Sequence, residues 1–317
     1  MPLTHETATA LDPQAKAVID LVIKSGRPPY HHLSPKDARQ LFRETRPAST
    51  PTPPEIGEVK NLRAEQIPCR VYRPKGVPAS TALPALIFFH GGGWVIGDLE
   101  THDVLCRQLT AGAGISVVNV DYRLAPEHKF PAAVDDCFAA YRWLREQGRD
   151  IGGDASRVAV AGDSAGGNLS AVVSQLATSA GVPVPSCQVL IYPAVDFSLE
   201  TESHRELEDG HVIPRDRILW YSEQYLRGEP DKADLRASPL RAPKLAGQPP
   251  TLIITAGFDP LRDEGHAYAD KLREAGVDVV YREYPGQIHA FVSLTKAIPQ
   301  GMACTLVIAE YLRQRLR

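Results

Sequence analysis

The chain lacks a basic start followed by an apolar run, and its longest apolar stretches, such as Leu83 to Phe89, are far too short to span a bilayer. These absences read as a soluble, cytoplasmic protein with no stable membrane insertion. Charge is not skewed. The 35 Lys and Arg against 38 Asp and Glu leave a net charge of -3, which argues against nucleic acid or an anionic surface as partner. The five cysteines, Cys69, Cys106, Cys137, Cys187 and Cys304, are odd in number and none stands in a C-x-x-C pair. That argues against a disulfide framework and against a zinc site, and they read as small buried hydrophobes. No G-x-G-x-x-G and no G-x-x-x-x-G-K-[ST] is present to cradle a phosphate. There is no internal repeat or low-complexity tract.

What is present alternates. Residues 56–62 and 68–73 are short strand candidates that suit a meander. Leu83 to His90, Ile115 to Val120, Arg157 to Ala161, Val184 to Ile191, Thr251 to Ala256 and Val277 to Glu283 are rich in Val, Ile or Leu and bounded by turn residues. Such runs suit strands buried on both faces of a parallel sheet. Helical stretches lie between them at 101–112, 131–147, 165–180, 262–275 and 299–316. The pattern predicts an α/β fold with a mostly parallel sheet covered by helices on both faces. Residues 1–54 read as helical, then irregular. Ser34-Pro35-Lys36-Asp37 marks a helix start, and Arg46 to Pro54 reads as a proline-rich linker that cannot continue the helix. Residues 197–247 form a polar insertion, helical at 214–227, that covers one end of the sheet.

Gly162-Asp163-Ser164-Ala165-Gly166 joins a predicted strand to a predicted helix. A serine in such a turn is forced toward positive φ, and its hydroxyl stands exposed where the helix begins. Ser164 is the candidate nucleophile. His90-Gly91-Gly92-Gly93-Trp94 follows an earlier strand. There, N–H groups of Gly91 and Gly92, joined by that of Ala165, would form a three-donor oxyanion hole. His90 reads as an anchor of this loop, with catalytic base as the alternative.

Ten histidines compete for the base. His289 follows the last strand and a turn, and lies after both the serine and the candidate acids, the order of a Ser…Asp…His triad. His266, in a helix, and His204 and His211, in the insertion, read as exposed surface residues. Asp259, in Gly257-Phe258-Asp259-Pro260-Leu261, is the favoured acid, and Asp196, after another strand, is its competitor. Asp263 reads as a capping or paired residue. Together these types point to acyl transfer, in which His289 moves the Ser164 proton and Asp259 holds the imidazole.

With these residues placed, the chain closely resembles the hormone-sensitive-lipase-like esterases of the α/β-hydrolase fold, a bacterial type. The matching segments are His90 to Trp94, Asp121-Tyr122-Arg123-Leu124-Ala125-Pro126-Glu127-His128, Gly162 to Leu169, Asp259-Pro260-Leu261-Arg262-Asp263-Glu264-Gly265 and the His289 segment. The resemblance runs from about residue 55 to the end. It implies a sheet of about eight strands and a helical cap formed by residues 1–54 and about 197–247, the remainder of 55–317 being the catalytic domain. It also implies hydrolysis of small-molecule esters with short to medium acyl groups, without a metal or organic cofactor. Asp163 marks the GDSAG-type branch, where its role would be to hold neighbouring loops; Tyr122, Arg123 and Glu127 would likewise be structural. A homodimer through an edge strand or the last helix rests on the same resemblance. Lys129, Gln287 and Ala290 depart from it, standing where proline, an aliphatic residue and glycine are expected. An acyltransferase or amidase would use the same triad, and a receptor built on this fold would be expected to lose a triad member. Trp94, Phe197 and Phe291 read equally as pocket lining or as core.

Overall fold

The computed structural model describes residues 10–210 and 212–317. Its strands are β1 (Glu58–Ala64), β2 (Ile67–Arg73), β3 (Leu83–Phe89), β4 (Ser116–Val120), β5 (Gly153–Asp163), β6 (Gln188–Ile191), β7 (Thr251–Phe258) and β8 (Val279–Ile288). They form one eight-stranded sheet in the order β1-β2-β4-β3-β5-β6-β7-β8. The pairs β1–β2 and β2–β4 are antiparallel and all others are parallel.

The helices are α1 (Pro13–Lys24), α2 (Pro35–Ser49), α3 (Asp103–Ala113), α4 (Ala132–Gln147), α5 (Ala165–Ser179), α6 (Glu202–Glu206), α7 (Arg215–Tyr225), α8 (Arg262–Glu274) and α9 (Pro299–Arg315). Side chains alternate across β3, so its unbroken apolar run feeds two cores. Leu86 and Phe88 pack with Leu109 of α3 and Ile308 of α9. Ile87 and Phe89 pack with Tyr141 of α4 and Leu169 of α5. A strand covered on both faces favours apolar side chains at successive positions, which is why the β3 run is continuous. All five cysteines are buried and unpaired. Burial pushes the thiols of Cys69, Cys187 and Cys304 up to about 12, so they remain protonated. Among the described residues no helix is long and apolar enough to cross a membrane.

Register decides where the loops emerge. Phe89 pairs with Gly162, and Phe258 pairs with Ile288. The glycine loop and the serine turn therefore leave the sheet at one level, as do Asp259 and His289.

Several boundaries differ from expectation: β5 begins at Gly153, ahead of Arg157, β6 begins at Gln188, after Val184, and two others involve prolines. Helix α2 does not stop at Arg46 but passes through Pro47 to Ser49. The ring sits in the last turn, where one missing N–H costs little because tertiary contacts hold the turn. Arg46 Nε donates to the Thr101 carbonyl oxygen at 3.1 Å, and Ser49 Oγ and Thr50 Oγ1 donate to the Arg46 carbonyl oxygen. Strand β8 runs on through Pro285 and Gly286, which the sequence assigns to a turn. It is an edge strand, where a proline without a donor is tolerated.

The N-terminal segment is fastened by one helix face. Arg39, Arg43 and Arg46 recur at helical spacing along α2. Arg39 bonds Val95, Ala125 and Glu127, Arg43 bonds Asp98, and Arg46 bonds Thr101. The insertion meets this segment where Arg217 of α7 lies over the Tyr30 ring. Lys129, standing where proline is expected, donates from Nζ to the carbonyl oxygens of Glu223 and Leu226, each at 2.7 Å, at the end of α7. A cation there satisfies orphan carbonyls and the helix dipole. Lys129→Met is expected to cost about 1 kcal/mol and lower Tm by about 3 °C. An unchanged melting curve by circular dichroism would show that the tether contributes nothing.

Candidate active site

The serine turn is shaped by crowding. Ser164 has φ 57 and ψ -117. A Cβ on Gly166 would stand 1.8 Å from the Phe89 carbonyl oxygen, and one on Gly162 would stand 2.3 Å from the Gly166 backbone. Only glycines let β3, β5 and α5 approach this closely, and the residue between them is driven to positive φ. Its backbone is fixed on both sides: Ser164 N–H donates to the Ile191 carbonyl oxygen at 2.8 Å, and the Ser164 carbonyl accepts from Asn168 and Ala194.

The structure brings Ser164, His289 and Asp259 together. His289 Nε2 is 3.0 Å from Ser164 Oγ, and His289 Nδ1 is 2.7 Å from Asp259 Oδ2. Asp259 is fully buried, and its other oxygen accepts from the Leu261 N–H at 2.9 Å. A carboxylate can only accept, so Nδ1 carries the hydrogen and Nε2 is left to accept from the serine hydroxyl. Tyr192 packs on the imidazole at 4.8 Å. Ala290 then turns the chain at φ 68, a conformation that costs a residue with a Cβ about 1 kcal/mol and explains why glycine is expected there.

The other candidates lie elsewhere. Asp196 pairs with Arg241 at 2.8 Å and bonds Ser198, not a histidine. Asp263 accepts from Ser203 and Arg262. His204 is not a surface residue. It is buried, and its Nε2 meets Glu264 Oε2 at 2.9 Å, because α6 is pressed against α8 by the fold of the insertion. His266 is half-buried, edge-on to Tyr281. His211 lies outside the described residues. Gln287 is buried and bonded to Gln300 at the start of α9. Among the described residues, no three His, Cys, Asp or Glu side chains converge on one point as a metal site would require.

The expected donor set changes at Gly91. Its N–H donates to Asp163 Oδ1 at 2.8 Å, so it is already engaged. Gly92, at φ 126, turns the chain so that its carbonyl accepts from Val95 and Ile96. The N–H groups of Gly92, Gly93 and Ala165 make no hydrogen bond among the described residues. Sequence reading missed His102, which lies 3.2 Å from Asp163 Oδ1. No local signal announces it, because the two residues lie 61 positions apart in the sequence. Burial pushes the Asp163 carboxyl up, but His102, Arg46 and the Gly91 N–H outweigh this and hold it below its ordinary value.

An apolar cavity of about 30 Å³ opens on Ser164, walled by Trp94, Phe197, Leu199, Ile218 and Tyr221. Trp94 and Phe197 are therefore lining as well as core, whereas Phe291 is fully buried against Tyr192 and Tyr284. A larger cavity, about 450 Å³, lies between later turns of α5 and Ala233 to Arg236, far along the helix from the serine.

His90 is buried, stacks on Tyr122 at 4.3 Å and donates from Nδ1 to the Gly91 carbonyl at 2.9 Å, so it anchors the loop. Burial, with His102 beside it, lowers its pKa from 6.5 to about 4. Between those values the unfolded chain binds a proton that the folded chain refuses, so stability falls as pH drops through this window. The loss amounts to on the order of 3 kcal/mol once complete. In urea titrations from pH 7 to 4.5, His90→Gln is expected to lose stability less steeply than wild type; parallel curves would refute the assignment.

The family described as alpha/beta hydrolase fold matches residues 86–293. The chain is 48% identical over 259 residues to the carboxylic ester hydrolase LipN of Mycobacterium tuberculosis, covering 80% of this chain and 68% of LipN. It is 36% identical to the ethyl acetate hydrolase of Pseudomonas putida, covering 97% of this chain and all of that one. Among solved structures, an ester hydrolase from the metagenome of Lake Arreo superposes with a TM-score of 0.92 at 43% identity, over 96% of this chain and 98% of that one. By this family match, sequence identity and likeness of fold, the chain belongs to the hormone-sensitive-lipase-like family of the α/β-hydrolase fold.

Proposed function

We propose that the protein hydrolyses carboxylic esters through an acyl-enzyme formed on Ser164. The observation that carries this reading is the unbroken hydrogen-bond chain from Asp259 through His289 to Ser164, at 2.7 and 3.0 Å. The named relatives support it, being carboxylic ester hydrolases and esterases. Ser164 Oγ attacks the ester carbonyl carbon as His289 Nε2 takes its proton. The carbonyl π electrons move to oxygen, and the anion is received by the N–H groups of Gly92, Gly93 and Ala165, in place of a set that includes Gly91. Collapse breaks the C–O bond, and His289 gives its proton to the leaving alcohol. Water then attacks the acyl-enzyme as His289 takes its proton, and collapse breaks the bond to Ser164 Oγ, which receives that proton from His289 as the carboxylic acid departs.

The described residues of 1–54 and 197–247 serve as the cap in this reading, residues 1–9 and 211 lying outside them; Tyr221 and Tyr225 of α7, which pack against Gly93 and Trp94, support it. The narrow apolar cavity supports short acyl groups. A cytoplasmic location and a homodimer belong to the same proposal; exposed Leu306 and Val307 on α9 support the latter.

Incubation with a short p-nitrophenyl ester and an active-site phosphonate tests the chemistry. Turnover and covalent labelling at Ser164 are expected, both lost in Ser164→Ala; full activity in that variant would sink the reading. For the acid, Asp259→Asn is expected to lower kcat by a factor on the order of 10⁴, because the imidazole loses its tautomer. Asp196→Asn is expected to stay near wild type, and the reverse result would exchange the two assignments.

A further inference from the structure

Arg46 is 7% exposed, yet among the described residues it forms no ion pair within 4 Å. Its guanidinium makes a single side-chain hydrogen bond, Nε to the Thr101 carbonyl oxygen at 3.1 Å, and lies over the Phe42 ring at 5.1 Å. Arg73, equally buried, shows the usual solution: its two terminal nitrogens donate to the carbonyls of Ile151, Gly152, Pro78 and Thr81. A buried cation without such satisfaction costs several kcal/mol unless a nearby negative charge offsets it. Burial lowers the Arg46 pKa, and the charge that most opposes this is Asp163. The effect is mutual, since Arg46 also helps keep Asp163 ionised.

The geometry leads from Arg46 to the donors. Thr101, whose carbonyl Arg46 holds, places its Oγ1 3.0 Å from His102 Nδ1. His102 Nε2 stands 3.2 Å from Asp163 Oδ1, and that same oxygen accepts the Gly91 N–H. Gly91 begins the loop whose next N–H groups are unengaged. Arg43, one turn earlier on α2, grips the same 98–101 loop through Asp98, but its side chain is 60% exposed and it joins the chain of bonds one residue further from Asp163.

We propose that Arg46 is a positioning residue for the oxyanion loop, joining the N-terminal segment to Gly91 through Thr101, His102 and Asp163. The inference rests on the esterase reading above. Arg46, beside the larger contribution of His102, helps keep Asp163 an ionised acceptor, and Asp163 in turn fixes the Gly91 peptide that leads into the oxyanion donors. A displacement of those donors weakens the transition state more than the ground state, so the effect falls on kcat.

Steady-state turnover of a short p-nitrophenyl ester and the rate of phosphonate labelling are compared in wild type, Arg46→Gln, Arg46→Lys and Arg43→Gln. Arg46→Gln is expected to lower kcat and the labelling rate at least tenfold with KM within about threefold of wild type. Arg46→Lys, which keeps the charge, is expected to recover most of this loss, and Arg43→Gln to stay within about twofold of wild type. In a cycle with His102→Gln, the double variant is expected to lose much less than the product of the single losses, because both act through one carboxylate. Unchanged kcat in Arg46→Gln, an effect confined to KM, no recovery by lysine, or an equal loss in Arg43→Gln overturns the proposal. Should Arg46→Gln not fold, Arg46→Met, which keeps much of the side-chain volume without the charge, replaces it in the comparison and the cycle, and strictly multiplicative losses overturn the proposal. Wild-type turnover separates the readings: its absence defeats the esterase assignment, whereas its presence with an indifferent Arg46 defeats this one alone.

Discussion

The carbonyl oxygen of Phe89 comes so near the backbone of Gly166 that no side chain fits between them, and the site depends on that crossing. It presses the start of α5 onto the ends of β3 and β5. The turn between β5 and α5 then has no room to relax, and Ser164 takes a positive φ that a serine would otherwise avoid. Strain of this kind persists only where its surroundings over-determine it. Here the surroundings are three buried strands and the bonds from Ser164 to Ile191, Asn168 and Ala194. Stability generated in the core is thus used to hold one hydroxyl in place.

Beneath the glycine loop lies a second layer, polar rather than apolar. Asp163 receives Gly91 and His102, His90 holds the Gly91 carbonyl, and Tyr122 donates to the His90 carbonyl at 2.7 Å. Each group in this layer is buried, so each is constrained by the cost of losing its partner. Such a layer can hold a loop of glycines, which has no side chains of its own to pack. It also ties the loop to α2, since Arg46 reaches the same network from the N-terminal segment. In the proposed enzyme, cap and catalytic centre would then share one electrostatic support.

Much of this was legible in the sequence. The apolar runs, the caps and the glycine-bounded serine are local features, and local physics predicts them: β3 spans Leu83–Phe89, the run read as a strand, and Ser34 caps α2 by accepting from the Asp37 N–H. Chain order was enough to nominate His289 and Asp259, which the fold brings within bonding distance. The misreadings share a cause. Pro47 looked like a stop, but Thr101 and Lys296, distant in sequence, hold its helical turn. His204 looked exposed because its polar neighbours are, yet Glu264 covers it from 60 residues away.

Gly91 makes the division plain. Its position after a strand, in a run of glycines, marks a loop that presents N–H groups, and composition alone carries that much. Which of those groups is free depends on Asp163, 72 residues later, whose carboxylate lies beneath the loop only once β3 and β5 are paired. By itself the sequence determined the elements, the order of the reactive residues and the chemistry they suit, because periodicity and turn geometry are set by near neighbours. Only the tertiary structure decided which donors are taken, which histidines are buried and, among the described residues, which buried arginines form no direct ion pair. Those outcomes belong to contacts between distant residues, and a hydrogen bond can be spent only once.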